Sequence, residues 1–396
     1  MTFQRVPVRR VATILNGGTP PSGVARFWGG DVPFATPPDL NGLDGTVLEL
    51  TARAITADGV AHSCVAPAGS VLLSTRAPIG HIGRLTSPAA FNQGCRALVP
   101  MRDVDVRFLA YSLVEARADM DARGLGTTFL EISGSSLAQV KVPFAPLDLQ
   151  RSISDYLDRE TLQIDAFIAK NEELITLLTE RRSAASQSEV EHHVGEGSRL
   201  KFRLREIDVR AGDEWAALPL LSVSIHNGVV PRGAHADPSN ESSDLSHYKV
   251  AQSRDIVLNR MRAFQGGLGV SPCAGLVSPD YAVLRPTDDV DADWLALVMR
   301  TPRFVGEMAR RLRGIGSANS GAVRTPRISV GDLGAILVDV PSSAQQIAEL
   351  RAVANSAERI EEAISVAQRS VSLARERRAA LISAAVTGKI SVGVAV

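Results

Sequence analysis

Lysine is scarce in this chain. Of 43 basic residues five are lysine and the rest arginine, and 43 acidic residues bring the formal net charge to zero. A neutral total does not mark a nucleic-acid binder by charge alone. The arginine excess has two readings. Guanidinium groups suit two-point contact to phosphate or guanine, and a coding bias toward Arg and Ala gives the same composition. Three cysteines without paired spacing (Cys64, Cys95, Cys273) argue against a disulfide scaffold or a zinc ribbon. No apolar run approaches the roughly 20 residues needed to cross a bilayer. After MTFQRVPVRR only a short VATIL run precedes NGGTPPSG, so no signal peptide is read there. A reducing, cytoplasmic location without membrane attachment is the expectation.

The usual catalytic constellations are missing as well. No Gly-x-x-x-x-Gly-Lys phosphate loop, Gly-x-Ser-x-Gly elbow or nuclease carboxylate cluster is present. Gly266-Gly267-Leu268-Gly269 is not followed by a helix pattern, and Thr36-Pro37-Pro38-Asp39 lacks the flanking residues of an amino-methyltransferase motif. His192-His193 lies in a polar linker and reads as solvated. The chain is expected to be no enzyme by itself.

What is present is a repeat. From Pro146 to about Gln187 the pattern changes to period 3.5, with Ile153, Leu157, Ile164, Phe167, Leu174 and Leu178 on one stripe, widened by Ile168 and Ile175. Asp148 reads as its N-cap. Asn171 sits among apolar neighbours, where such a residue can fix register against one partner. The motif Pro146-x-x-x-Gln150 returns as Pro341-x-x-x-Gln345, and Ile164, Ile168 and Glu180-Arg181-Arg182 return as Ile360, Ile364 and Glu376-Arg377-Arg378. The second helix, about 343–386, carries a smaller-residue stripe of Leu350, Val353, Ala357, Ile360, Ala363, Ala367, Val371 and Ala374, ending before Gly388. A large-residue stripe facing a small-residue one predicts an antiparallel intramolecular coiled coil, with a zipper between chains as the alternative. Each rod of about 40 residues would be roughly 60 Å long. The tail KISVGV is a candidate sheet strand.

The segments between are Gly/Pro-rich with short β-type runs, an α+β pattern. In residues 1–145, Gly17-Gly18-Thr19-Pro20 and Gly29-Gly30-Asp31 mark turns, and Phe27, Trp28 and Phe34 are candidate anchors; phosphate contact is the functional reading and a tight loop packed on its own aromatics the other. Asp105 caps an expected helix over 106–122, and a strand is expected around 138–142. Residues 197–340 echo this order: Ser70–Leu73 matches Asp255–Leu258, Ala97–Pro100 matches Val283–Pro286, Phe108 matches Trp294, Gly124-Leu-Gly126-Thr127 matches Gly314-Ile-Gly316-Ser317, and Ile132-Ser133 matches Ile328-Ser329. The expected layout is a first globular domain at 1–145, a long helix and linker at 146–196, a second globular domain at 197–340, and a second long helix with tail at 341–396. The first helix segment is acidic, with 5 basic and 11 acidic residues in 146–196. That acidic excess argues against contact between this helix and a polyanion.

GGTP…FWGGDVPF at 17–34, the P-x-x-x-Q…ERR helix with its repeat, ERRAALISAAVTGKI at 376–390, and DIVLNRMRAFQGGLGVSPCAGLVSPDYAVL at 255–284 together resemble the DNA-specificity subunits of type I restriction-modification systems. The resemblance covers nearly the whole chain. It departs after Arg182, where SAASQSEVEHHV stands in place of AALISAAVTGKI. It implies a non-catalytic, pseudo-twofold subunit of an adenine methyltransferase and endonuclease complex in phage defence. Two target-recognition domains would each read half of a split asymmetric site on double-stranded DNA. The helices would act as spacer and dock two methyltransferase subunits, joined by helicase-nuclease restriction subunits. No cofactor is expected in this chain; S-adenosylmethionine, Mg and ATP belong to the partners. Docking and spacer positions are Ile153, Leu157, Ile164, Leu174, Leu178, Val353, Ile360 and Val371. Polar loop residues at matching places are the candidate readers: Thr75, Arg76, His81 and Arg84 in the first domain, Asn259, Arg260, Arg262 and Gln265 in the second. The rival from another class is a coiled-coil scaffold with two protein-binding heads, and a third reading is a hydrolase with an unrecognised pocket.

Overall fold

The computed structural model describes residues 3–76, 78–124, 130–225, 228–232, 244–312 and 327–392. The chain divides into two compact units, Met1–Glu172 with Gln368–Val396, and Glu173–Ala367. Two long helices, Leu147–Ser188 and Ser343–Val386, each contribute residues to both units.

The first unit is built on a four-stranded antiparallel sheet in the order Ala12–Asn16, Cys95–Pro100, Val71–Ser74, Ile82–Arg84. Val71, Leu72 and Leu73 are buried on both faces, which explains an unbroken apolar run in a short strand. One face packs on the helix Val106–Glu115. The other packs toward a second sheet, ordered Arg53–Ile55, Trp28–Ala35, Ala89–Phe91, Cys64–Ala66. Gly17 sits where this second layer closes on the first: a Cβ there would lie 2.0 Å from the Asn92 carbonyl oxygen. Together with the edge-on Trp28–Phe34 pair at 5.2 Å, that makes the Gly-Gly-Thr-Pro stretch a packed loop. Asp39 closes a capping box on Thr36, its Oδ2 accepting from the Thr36 amide at 2.8 Å, while its Oδ1 accepts from Ala52 N at 2.8 Å. The Thr-Pro-Pro-Asp stretch is thereby used up in holding its own turn.

Asp105 caps as expected, accepting from Arg107 N at 2.9 Å and Phe108 N at 3.0 Å. The expected helix over 106–122 is two pieces, because Ala116 at φ −83°, ψ 4° ends the first and Arg117–Ala122 starts afresh. The expected strand at 138–142 is also corrected. Ser133 Oγ accepts from Ser136 N at 3.0 Å and starts a helical turn, Gly134–Gln139, so the strand begins at Lys141.

In the second unit the sheet order repeats: Leu204–Ile207, Tyr281–Pro286, Ile256–Asn259, Leu268–Val270. The capped helix repeats too, as Ala292–Met299 behind Asp291, and so does the turn Val330–Gly334 behind Ser329. In place of the second four-stranded sheet stand two strand pairs, Leu221–Ser224 with Gly228–Pro231 and Lys249–Ala251 with Gly275–Val277. Both units are α+β, as the sequence indicated.

The long helices sharpen four expectations. The first begins at Leu147, so Asp148 lies inside its first turn; the free Gln150 amide is taken by the Pro146 carbonyl at 2.9 Å. Asp148 is left with the favourable end of the helix dipole only. The equivalent of Gln150 is Gln346, not Gln345, so the helix repeat keeps one offset of 196 from its first turn. Phe167 and Leu174 face outward at 49% and 44% exposure, while Ile168, Asn171 and Ile175 take the inward places. In the second helix Ala363 is exposed and Ile364 is buried. The inward positions 353, 357, 360, 364, 367, 371, 374 and 378 alternate steps of four and three, as a period of 3.5 demands.

Within the first unit the helices run antiparallel, with Ile153 and Leu157 buried against Phe108, Ile382, Ala385 and Val386. Arg378, nearly buried, makes two bonds to Asp165 at 2.8 and 3.2 Å, and Arg375 meets Glu172 at 2.7 Å. Within the second unit the antiparallel sense is the same, and Arg182 pairs with Glu361. Asn171 donates to the Phe167 carbonyl of its own helix at 2.9 Å. The second helix stops at Gly388, φ +74°, whose amide bonds to Ala385 O at 3.1 Å while Lys389 N reaches Ala384 O at 2.9 Å. That is a Schellman stop, and glycine supplies its left-handed residue. Residues 389–392 form no strand; Ile390 and Val392 pack on the Phe108–Ile382 cluster instead. The pair His192-His193 is not solvated as a whole: His192 is exposed, and His193 is buried edge-on against Trp294 at 5.2 Å.

Candidate nucleic-acid interface

In each unit one tight connection leaves the central sheet and returns to it: residues 75–81 between Val71–Ser74 and Ile82–Arg84, and residues 260–267 between Ile256–Asn259 and Leu268–Val270. Both are braced the same way from a distant segment. The Ile132 amide donates to the Thr75 carbonyl at 2.9 Å, and the Ile328 amide donates to the Arg260 carbonyl at 3.2 Å.

The first connection is hydrogen-bonded at its base. Ser74 Oγ accepts from His81 N at 2.9 Å and donates to the Pro78 carbonyl at 2.8 Å. Thr75 is buried, with its amide and hydroxyl both donating to the Gly94 carbonyl at 2.8 and 3.1 Å. Its hydroxyl is committed inside the fold. Arg76 is exposed and pairs with exposed Glu131 at 3.0 Å. An exposed pair of this kind is worth about 0–1 kcal/mol, so the guanidinium can exchange it for another anion. His81 is half-buried, and its Nδ1 has no partner among the described residues. Burial, helped by the Arg117 charge, pushes its pKa down. Arg84 stands at the opposite end of the strand pair. Its Nε donates to the Gly45 carbonyl at 2.7 Å, and its guanidinium lies 3.6 Å from Asp158 of the first long helix. It ties sheet to helix and is not part of the loop cluster.

In the second connection Asn259 is buried and accepts from Met261 N at 3.1 Å, so it shapes the turn. Arg260 Nε donates to the Ile328 carbonyl at 3.0 Å, doubling the brace. Arg262 and Gln265 are exposed on a helical turn, Ala263–Gln265, that ends at Gly266, φ +78°. Among the eight expected readers, the fully exposed ones are therefore Arg76, Arg262 and Gln265. The pairing of Gly124-Leu-Gly126-Thr127 with Gly314-Ile-Gly316-Ser317 lies outside the described residues, apart from Gly124.

The same sheet end carries polar groups that sequence reading missed. Arg96, at the start of Cys95–Pro100, donates to the Gln93 carbonyl at 2.9 Å and the Cys95 carbonyl at 3.0 Å, with its Nε left unpaired among the described residues. Thr19 Oγ1 and Gln93 meet beside it. In the second unit Arg327 faces Asp280 at 3.3 Å. Their signal in the sequence is weak: polar residues one or two places from a strand end.

The residues expected to dock partners are mostly spent within the helix pair. Ile153, Leu157 and Val371 are buried, and Ile164, Leu178, Val353 and Ile360 are half-buried. Leu174 is the exposed one. Outward-facing apolar side chains are Leu162, Phe167, Leu177, Val366 and Leu373. In the first unit Ile164, Phe167, Leu373 and Ala374 line a groove of about 420 Å³ between the helices. Among the described residues, one group of His and carboxylate side chains is close enough to share a metal ion: His192, His193 and Glu349. No helix among the described residues is long and apolar enough to cross a membrane.

Residues 2–176 match the family model described as the type I restriction modification DNA specificity domain. Over 157 residues the chain is 31% identical to the type I restriction enzyme MjaIX specificity subunit of Methanocaldococcus jannaschii, covering 38% of this chain and 36% of that one. The match thus spans little more than a third of the relative's length. In fold the likeness extends over the whole chain. A chain from a structure describing complex assembly and conformational transition of the type I R-M system superposes with a TM-score of 0.69, 15% identity and 98% coverage of both chains. The HsdS subunit from Thermoanaerobacter tengcongensis gives a TM-score of 0.55 at 16% identity, over 98% of this chain and 97% of that one.

Proposed function

We propose, since residues 2–176 match the type I restriction modification DNA specificity domain and the fold follows that of an HsdS subunit over nearly the full chain, that this chain is the DNA-reading, non-catalytic subunit of a type I restriction-modification complex. Each unit reads one half of a split site on double-stranded DNA. The observation that carries this reading is the duplicated turn: two sheet-end connections, braced identically by Ile132 on Thr75 and by Ile328 on Arg260. They present different exposed side chains, Arg76 in one and Arg262 with Gln265 in the other. A shared frame with different tips suits two half-sites of different sequence. Arginine at such a tip can bridge guanine O6 and N7, and glutamine can bridge adenine N6 and N7.

The outward apolar residues of the long helices, Phe167 and Leu373 above all, are the proposed seats for two methyltransferase subunits, which bring S-adenosylmethionine and the adenine chemistry. Helicase-nuclease subunits, with Mg and ATP, complete the restriction assembly. The whole acts in the cytoplasm. The near-zero net charge fits this division, with partners sharing the phosphate contacts. The test is selection from random-sequence duplexes with the chain bound to its methyltransferase partner. Enrichment of a motif in two separated parts supports the reading, and a pool without enrichment leaves a protein-binding scaffold in its place.

A further inference from the structure

We propose that His192, His193 and Glu349 form a binding site for one divalent transition-metal ion, clamping the segment after the first long helix to the start of the second. The ligand atoms of the three side chains all lie within 4.8 Å of one another. His193 Nε2 is 3.1 and 3.2 Å from the two Glu349 oxygens. Nitrogen and oxygen ligands bound at about 2.0–2.1 Å in a tetrahedron sit about 3.3 Å apart, so this pair needs almost no movement to share an ion. His192 is exposed, with its ring centroid 3.9 Å from that of His193, and supplies the third ligand, leaving the fourth position to water.

The surroundings are those of a metal site. Trp294 Nε1 donates to Glu349 at 2.7 Å and Gln345 Nε2 donates to it at 3.0 Å, which orients the carboxylate as outer partners of a ligand do. The other ring nitrogen of His193, Nδ1, is buried without a hydrogen-bond partner and lies 3.8 Å from the Asp339 carboxylate. With Nε2–H donating to Glu349, Nδ1 presents a lone pair to that carboxylate. An ion on Nε2 moves the ring proton to Nδ1, where it faces Asp339, the usual histidine–carboxylate arrangement behind a metal.

Nor does the repeat require these residues. At the matching places of the first unit stand Ile153 for Glu349 and Phe108 for Trp294, both in an apolar cluster. A buried polar set in one copy only is an addition to the frame. Two imidazoles and one carboxylate favour zinc, cobalt(II) or nickel(II) over magnesium or calcium, which prefer all-oxygen cages. The site is independent of the DNA reading.

The test uses the full chain, stripped with chelator and freed of it, titrated with Zn²⁺ by calorimetry and with Co²⁺ by visible absorption. One ion per chain is expected, with a rise in thermal midpoint and cobalt bands lacking thiolate charge transfer. His192→Ala, an exposed change that leaves the fold intact by circular dichroism, should weaken binding at least tenfold, and Glu349→Gln should do the same. Failure to bind at micromolar Zn²⁺, unchanged affinity in His192→Ala, or a cobalt spectrum showing thiolate ligation would each overturn the site in favour of a plain His–Glu–Trp hydrogen-bond network.

Discussion

Gln150 and Gln346 are buried at the same place in their respective units and make the same three hydrogen bonds. Gln150 Oε1 accepts from Asp105 N at 2.9 Å, and its Nε2 donates to the carbonyls of Asp103 at 3.1 Å and Ala145 at 2.7 Å. Gln346 Oε1 accepts from Asp291 N at 2.7 Å, and its Nε2 donates to Asp289 and Pro341, both at 2.9 Å. Each glutamine thus ties the first turn of a long helix to the capped helix of its head. Leaving such buried groups unsatisfied costs about 1–3 kcal/mol each. Gln150→Ala and Gln346→Ala should each destabilise by about 3 kcal/mol in urea unfolding. A loss below about 1 kcal/mol would mean that the joint is held elsewhere.

Arg76 and Arg262 should separate reading from folding. Neither is buried, so alanine at either place should leave stability within about 0.5 kcal/mol. Loss of a two-point base contact is worth about 1–3 kcal/mol, so binding should weaken roughly 5- to 150-fold at one half-site and tolerate substitutions there. Arg260→Ala differs, since it removes the Nε bond to Ile328 and loosens the turn itself. It should lower thermal stability as well as recognition of the second half-site. Competition binding against duplexes varied in one half at a time, with melting curves, distinguishes the three.

Tyr111 should titrate late. Burial, and then its 2.6 Å hydrogen bond to Asp158, pushes the phenol up to about 12. Its folded value lies above the unfolded value of about 10. The associated stability is therefore complete below pH 10 and lost as pH rises toward 12. Difference absorbance should show a tyrosine ionising near pH 12, and Tyr111→Phe should remove that step at a cost of about 1 kcal/mol.

The thiols should divide by burial. Cys95 is buried in the first unit, and desolvation, followed by the Asp39 charge, pushes it up to about 12. Cys64 and Cys273 are partly accessible. A thiol reagent at pH 8 should label two cysteines in the native chain and the third only on unfolding. Labelling of Cys95 in the native protein would contradict the packing of the two sheets.

The duplication was legible in the sequence because helix repeats keep their spacing, and strand ends with Asp caps recur at nearly fixed intervals. Choice between neighbours was not legible. Phe167 and Ile168 are both apolar, and only the facing helix decides which turns inward; Ala363 and Ile364 pose the same question. The burial of His193 was hidden for a related reason. Its partners Trp294 and Glu349 stand about 100 and 156 residues further on, and a polar linker gives no sign that they converge. Of the eight candidate readers, six lie on the two connections, while Asn259 and Arg84 end strands; Thr75, Asn259 and Arg84 spend their polar groups on backbone, turn and helix contacts. A strand-end polar residue looks the same in sequence whether it braces or protrudes.

The division of labour between two reading heads is tested most directly by giving the chain two copies of one head. Residues 197–340 are replaced by a second copy of residues 1–145, keeping both long helices, and duplexes are selected with the methyltransferase partner bound. The account predicts that the first half-site appears twice and the second vanishes. A motif unchanged from that of the original chain would contradict it.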